Sequence, residues 1–112
     1  MMKIKLPFVN NNKPFEITTW TTSKHERALE LLLKNTENLT DEERTKEFKY
    51  YVIYVALKEV DESVKFEDIK NLHVENIADL FNLIYNAGKL KIEVEEDFRE
   101  GDKPPKSIGK KS

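Results

Sequence analysis

The 112-residue sequence predicts a single α+β domain. Apolar and polar residues alternate near the N-terminus and again near residue 90, which predicts short strands. Helix-capping patterns followed by apolar residues at helical spacing predict the α part. We expect an N-terminal β-hairpin and a C-terminal strand to form a small antiparallel sheet, packed on a bundle of roughly three to four helices.

The hairpin is predicted by two alternating runs, residues 4–8 and residues 15–17. Asn10, Asn11 and Asn12 lie between them. Asparagine tolerates the left-handed backbone conformation and forms hydrogen bonds with its own main chain, so this run favours a turn. No Asn-Gly pair defines the turn type, and the register of the two strands is left open.

The first helix is predicted to begin at Ser23. Ser23 and Glu26 have the S-x-x-E spacing of a capping box, in which each side chain accepts a hydrogen bond from a backbone amide of the first turn. Alanine and leucine residues between positions 28 and 33 supply an apolar face. Asn35 is predicted to end the helix.

A second capping box, Thr40 with Glu43, predicts the next helix. The β-branched and aromatic residues that follow also suit a strand, but residues 40–60 contain no glycine or proline. Helical spacing favours the helix and is shown by Phe48, Tyr51, Val52 and Val55. Since apolar residues occupy its other faces as well, we expect this to be the most enclosed helix.

Two later helices are predicted, one after Phe66 and a clearer one from about Val74. The apolar residues of the clearer helix are Ile77, Leu80, Phe81 and Ile84. Asn86, Ala87 and Gly88 form a natural end, because glycine adopts the left-handed cap conformation at little cost.

The last alternating run, Leu90, Ile92 and Val94, predicts a strand with one face toward water. We expect it to pair with the hairpin. Oppositely charged residues would then lie across the strands: Lys3 and Lys5 on one side, Glu93 and Glu95 on the other.

One core suits this length, since independent domains run to about 100–150 residues. The domain is predicted to span residues 1–98, and a flexible basic tail residues 99–112, where a Pro-Pro pair, glycines, serines and lysines concentrate. The tail has five basic and two acidic residues, a charge of +3, which leaves −5 of the total −2 for the body. An acidic body disfavours nucleic-acid binding, so only the tail is expected to contact an anion.

No cofactor, metal or catalytic residue is predicted. His25 and Glu26 begin an H-E-x-x-H zinc motif, but Leu29 occupies the second histidine position. His73 has no second ligand at suitable spacing, and a surface or capping role is preferred for both histidines. The absence of cysteine excludes thiolate sites, and three scattered glycines form no nucleotide-binding fingerprint.

Clustered carboxylates have simpler explanations than catalysis. Asp41, Glu42 and Glu43 suit the start of a helix, where the helix dipole favours negative charge. The acidic residues between positions 93 and 97 suit the solvent face of a strand, although a divalent-ion site there is left open. A small hydrolase or isomerase using such carboxylates remains a third hypothesis without a motif behind it.

The candidate partner-binding residues are Trp20, Tyr50, Tyr51 and Tyr54. Trp20 precedes the first helix and is out of phase with the hairpin, and tryptophan is enriched at binding hot spots. The tyrosines lie on the enclosed helix, which suits either core packing or an interface. Packing of Trp20 over the first helix is an equally open alternative.

The order of elements resembles small tail and baseplate assembly proteins of tailed bacteriophages, either the baseplate-hub assembly family or the tail assembly chaperones. The landmarks that carry the resemblance are Leu6-Pro7, Lys24 to Arg27, Leu72 through Ile77 to Leu80-Phe81, and Gly88. Thr19-Trp20-Thr21 stands where the first family tends to have Arg-Pro-Phe.

The resemblance implies a non-catalytic assembly factor, such as a tail assembly chaperone, that binds tape-measure, tube or baseplate subunits in the host cytoplasm. No membrane association is expected, because no apolar run approaches the ~18 residues of a membrane span. Self-association into a homo-oligomer is left open. The alternatives are a structural baseplate subunit of the virion and a small nucleic-acid-binding regulator that uses two later helices and the lysine-rich tail.

Overall fold

The computed structural model describes residues 3–92. A two-stranded antiparallel sheet precedes four α-helices within this range, which confirms the α+β class. The elements are β1 (Lys3–Ile4), a one-turn 3-10 helix (Asn10–Asn12), β2 (Phe15–Glu16), α1 (Thr22–Asn35), α2 (Asp41–Val60), α3 (Phe66–Lys70) and α4 (Val74–Tyr85).

The predicted C-terminal strand is not formed by the residues that the structure describes. Leu90 and Ile92 are 79% and 82% exposed in an irregular segment, so within residues 3–92 the sheet has β1 and β2 only. Glu93, Val94 and Glu95 lie outside the described residues. The expected pairs of Lys3 and Lys5 with these glutamates therefore stay predictions. The domain end at residue 98 and the tail also lie outside the described residues and stay predictions.

The two runs pair as an antiparallel hairpin, with Lys3 opposite Glu16 and Ile4 opposite Phe15. The strands are shorter than predicted: β1 ends at Ile4, residues 5–9 form turns and irregular backbone, and β2 ends at Glu16. Its turn uses left-handed backbone at three consecutive asparagines. These are Asn10 with φ 52°, Asn11 with φ 55° and Asn12 with φ 63°. Asparagine adopts this region more readily than other residues with a Cβ atom, which explains the run in the sequence.

The N-cap of α1 lies two residues before the predicted capping residue, Ser23. The N-cap is Thr21, whose hydroxyl accepts a hydrogen bond from the Lys24 amide at 3.3 Å, and Ser23 lies inside the helix. The chain before the helix is fixed by tertiary contacts, since the Trp20 amide donates to the Ala87 carbonyl at 3.0 Å. The predicted end at Asn35 is confirmed.

α2 begins with the predicted capping box. The Glu43 amide donates to the Thr40 hydroxyl at 3.2 Å, and the Thr40 amide donates to the Glu43 carboxylate at 2.9 Å. Among the described helices, α2 has the largest number of buried residues: Tyr51, Val52, Ile53, Ala56 and Leu57. Within residues 3–92, no helix combines the length and apolar character needed to cross a bilayer.

α4 has the predicted start, apolar face and end. Ile77, Leu80 and Ile84 are buried against the core. Gly88 adopts the left-handed conformation with φ 75°, and a Cβ atom there would lie 2.6 Å from Thr19 Cγ2. Gly88 is therefore required both for its conformation and for the close approach of the chain that leads into α1.

Three polar side chains join the segment after β2 to α1 and α2. The Thr18 hydroxyl donates to the Glu59 carboxylate at 2.6 Å, and Lys24 Nζ lies 3.0 Å from the same carboxylate. The Thr18 hydrogen bond, followed by that of Lys24 and its charge, lowers the pKa of Glu59, while partial burial opposes the shift. This cluster fixes the end of the hairpin unit over the two longest helices.

The observed cap predicts different effects for two neighbouring substitutions. T21A removes the hydroxyl that accepts the Lys24 amide and should lower the free energy of unfolding by about 1 kcal/mol. S23A, the matched control, removes an exposed hydroxyl inside the helix and should change it by less than about 0.5 kcal/mol. Urea unfolding followed by circular dichroism measures both. A larger loss of unfolding free energy in S23A than in T21A would contradict Thr21 as the N-cap.

The cluster of Thr18, Lys24 and Glu59 predicts that the free energy of unfolding decreases at low pH. Because the folded pKa lies below the unfolded value, the contribution of Glu59 is complete above the ordinary value of 4.5 and is lost as the pH falls below it. E59Q should flatten the dependence of unfolding free energy on pH between about pH 6 and pH 3. The effect should be small, since the side chain is 48% exposed.

Glu62 supplies the control for this experiment. It is exposed and forms no hydrogen bond or ion pair with any residue that the structure describes. E62Q makes the same change of charge and should leave the pH dependence of the wild-type protein in place. Equal pH profiles for E59Q and E62Q would contradict the assigned role of the cluster.

Candidate functional site

Five aromatic rings meet at one place on the surface and form what we name the aromatic patch. Its members are Trp20, His25, Phe48, Phe81 and Tyr85. His25 is central: its ring centroid lies 5.3 Å from that of Phe48 and 6.0 Å from that of Tyr85. Trp20 lies 6.4 Å from His25 at an interplanar angle of 78°, an edge-to-face arrangement that aromatic rings favour.

Local structure explains how these rings are positioned. The backbone hydrogen bond from the Trp20 amide to the Ala87 carbonyl places the indole beside the end of α4. Trp20 Nε1 donates a hydrogen bond to His25 Nδ1 at 3.5 Å. Phe81 and Tyr85 are one helical turn apart and stack at 5.3 Å. Tyr85 is 45% exposed, whereas the other four rings are half-buried. The patch thus presents Tyr85 on a preformed aromatic base.

Two exposed leucines extend the apolar surface along α1. Leu29 and Leu33 follow His25 at four-residue intervals, so the three side chains lie along one face of the helix. Leu29 is 38% exposed and Leu33 55% exposed. We name Leu29 and Leu33 the leucine row. Soluble domains normally keep several such side chains away from one another, and an adjacent set is typical of an interaction site.

A shallow cleft of about 350 Å³ adjoins the aromatic patch. Trp20, His25 and Tyr85 form its apolar part, and Thr21, Thr22, Asn86 and Lys89 complete the lining. A partly apolar cleft with a polar border suits an inserted side chain of another protein.

The predicted tyrosines lie in a different part of the molecule. Tyr51 is buried, with its ring 4.7 Å from that of Phe66, and Tyr54 lies 5.7 Å from the same ring. Burial, and secondarily the charge of Glu47, raises the pKa of Tyr51. Both tyrosines therefore help to hold α3 against α2.

Tyr50 is half-buried beneath a charged side chain. Lys70 Nζ lies 3.9 Å from the centre of the Tyr50 ring and 3.3 Å from a Glu47 carboxylate oxygen. A cation over an aromatic face is attractive, and the carboxylate holds it there. This arrangement also joins α3 to α2, so a packing role accounts for the position of Tyr50.

The structure does not bring the four predicted residues into one surface. Trp20 belongs to the aromatic patch, whereas the aromatic contacts of Tyr51 and Tyr54 within residues 3–92 are with Phe66. The residues that sequence reasoning did not single out are His25 as the central ring and Tyr85. The spacing of His25 with Leu29, and of Phe81 with Tyr85, was the available signal.

Polar groups that could serve in chemistry have structural partners. His73 caps α4, because its Nδ1 accepts a hydrogen bond from the Glu75 amide at 3.1 Å. Asp61 accepts hydrogen bonds from Ser63 and from the Asn10 amide, and these bonds lower its pKa. Within residues 3–92, no group of three or more potential ligands is placed to hold a metal ion.

The α3–α4 pair has the order of a helix-turn-helix but an unsuitable charge. Glu75 and Asp79 are exposed on α4, and the sequence of this fully described helix contains no lysine or arginine. A recognition helix places side chains beside DNA phosphates, where carboxylates are repelled. α4 therefore does not suit the role of a recognition helix.

The chain was compared with protein-family models, with curated proteins and with solved structures, and no match was found in any of the three.

The contacts of the tyrosines predict a structural role that can be measured. Y51A removes a buried ring and should lower the free energy of unfolding by about 3 kcal/mol or more. Y50A removes a half-buried ring and should cost clearly less. Chemical unfolding followed by circular dichroism gives both values. A smaller loss for Y51A than for Y50A would contradict the packing described here.

Proposed function

We propose that this protein is a non-catalytic assembly factor that binds another protein through the aromatic patch and the leucine row. The observation that carries the proposal is that exposed Tyr85 and half-buried Trp20 lie beside His25. Exposed Leu29 and Leu33 follow His25 along the same face of α1. Tryptophan and tyrosine dominate binding hot spots because they bury much apolar area with little loss of side-chain freedom.

The energetics suit a specific protein partner. Covering the exposed part of each leucine or of Tyr85 contributes on the order of 1 kcal/mol. The four half-buried rings of the aromatic patch are already packed, so the entropy of ordering them is lost when the chain folds and not when the partner binds. Glu26 and Glu30 are exposed on α1 near the leucine row, and such flanking charges select the orientation of a partner more than they add affinity.

The biological setting in this proposal is the assembly of a phage tail or baseplate. It is supported by the resemblance described above, which implies tape-measure, tube or baseplate subunits as partners and the host cytoplasm as the place of action. Tail assembly chaperones keep such subunits soluble until they are incorporated, and an exposed apolar surface on a small acidic body suits that task. The proposed role requires no catalysis.

Substitution of exposed patch residues tests the proposal. The full chain is co-expressed with the tape-measure, tube and baseplate proteins of the same phage, and retention of each on the tagged chain is measured. L33D and L29D should lower the affinity for the retained protein about tenfold or more, because each places a charge in an apolar interface. The fluorescence of Trp20, the single tryptophan, should also change on binding of the wild-type chain.

V74D is the matched control. Val74 is 70% exposed at the start of α4 and lies outside the patch, so its substitution should leave binding unchanged. Circular dichroism checks that each variant is folded. The assembly role fails if the wild-type chain retains none of these proteins, and the assigned surface fails if V74D and L33D behave alike. Mass spectrometry of purified particles distinguishes a chaperone, absent from them, from a virion subunit.

A further inference from the structure

An apolar groove separates the segment after β2 from α4. It has a volume of about 450 Å³, and Ile17, Leu83 and Ala87 form its apolar lining. Asp79, Asn82 and Asn86 lie along its polar side. The chain leaves α4 at one end of this groove and continues into Leu90 and Ile92, the two most exposed large apolar side chains of the described residues. An apolar groove and exposed apolar side chains thus lie close together along the chain.

One backbone hydrogen bond joins the two segments at that end, where Asn86–Gly88 form a turn. The Trp20 amide donates to the Ala87 carbonyl at 3.0 Å, and Thr19 lies against Gly88. An antiparallel pair keeps the sum of opposed residue numbers constant along its length. If the pairing continued toward β2, the opposed residues would be Thr18 with Lys89, Ile17 with Leu90, Glu16 with Lys91, and Phe15 with Ile92.

This register matches side chains on both faces. Phe15 and Ile17 are buried, so Leu90 and Ile92 opposite them would turn toward the core side and the groove. On the other face, Lys91 would lie opposite Glu16, an attractive cross-strand pair. A slip by one residue would turn both apolar side chains to water, and a slip by two residues would move Lys91 away from Glu16, so the sequence favours this register.

We propose that the groove is a strand-docking site and that its occupant is the segment Lys89–Ile92 of the same chain. Docking adds a third strand to the free edge of β2 and places Leu90 over Ile17. Gly88 is the hinge. Its backbone is left-handed at φ 75°, and glycine can move from this conformation to an extended one because it has no Cβ atom. The sheet then has the order β1, β2, third strand, and the expected C-terminal strand pairs with β2 and not with β1.

The protein contains no cysteine, so engineered disulfides report the docked state directly. E16C/K91C joins two exposed positions that oppose each other in the docked strand, at a separation that suits a disulfide. The control, E16C/L90C, places the two side chains on opposite faces of the sheet. In a glutathione redox buffer, we expect the intramolecular disulfide to be about tenfold more populated in E16C/K91C, as measured by intact mass and peptide mapping.

Each other outcome overturns the proposal. Equal populations of the two disulfides would show that the segment has no preferred register. Disulfide-linked dimers from E16C/K91C at low protein concentration would show that a second copy occupies the groove. Hydrogen exchange of the cysteine-free chain adds a second readout: the amides of Glu16 and Thr18 should exchange at least about tenfold faster in I92D, and unchanged exchange would contradict docking.

The two experiments are read out separately. Asn86 of the groove and Lys89 of the occupant also line the cleft beside the aromatic patch, but the disulfide readout requires no partner protein. Failure of the docking experiment would leave the aromatic patch as described, and failure of the co-expression experiment would leave the third strand.

Discussion

Burial of α2 is the constraint on which the rest of the structure depends. Val52, Ile53 and Leu57 have no exposed surface, and α1, α3 and α4 all pack on this helix. The buried side chains occupy neighbouring positions and point in several directions, so one packing partner could not cover them. Burial of each of these side chains stabilises the fold by about 1.5–3 kcal/mol. This gain is obtained only when the other helices surround α2. α3, with five residues, has no independent stability and depends on this packing.

Local signals in the sequence predicted those parts of the fold whose partners are close in the chain. The Thr40 and Glu43 capping box, the asparagine turn and the apolar face of α4 all formed as predicted, because each is complete within a few residues. The start of α1 was misplaced for the opposite reason. Ser23 satisfies the local pattern, but contacts of Trp20 with the end of α4 fix the preceding chain and make Thr21 the cap.

The candidate surface was less predictable than the fold. The tyrosines of α2 looked equivalent in the sequence, yet helical geometry turns Tyr51 into the core and leaves Tyr50 and Tyr54 beside α3. Their roles depend on where α3 packs, which no local pattern specifies. Trp20 was identified from its phase relative to the hairpin, but Tyr85, its neighbour across His25, is far away in the sequence. Only the tertiary arrangement brings them together.

The junction between the entry into α1 and the exit from α4 is where the patch and the groove meet. Trp20 contributes its indole to the patch, while its amide holds the carbonyl of Ala87 at one end of the groove. Asn86, one residue before Ala87, lines both the groove and the cleft beside the aromatic patch. Both surfaces therefore depend on the same turn at the end of α4, which the Trp20 amide holds in place.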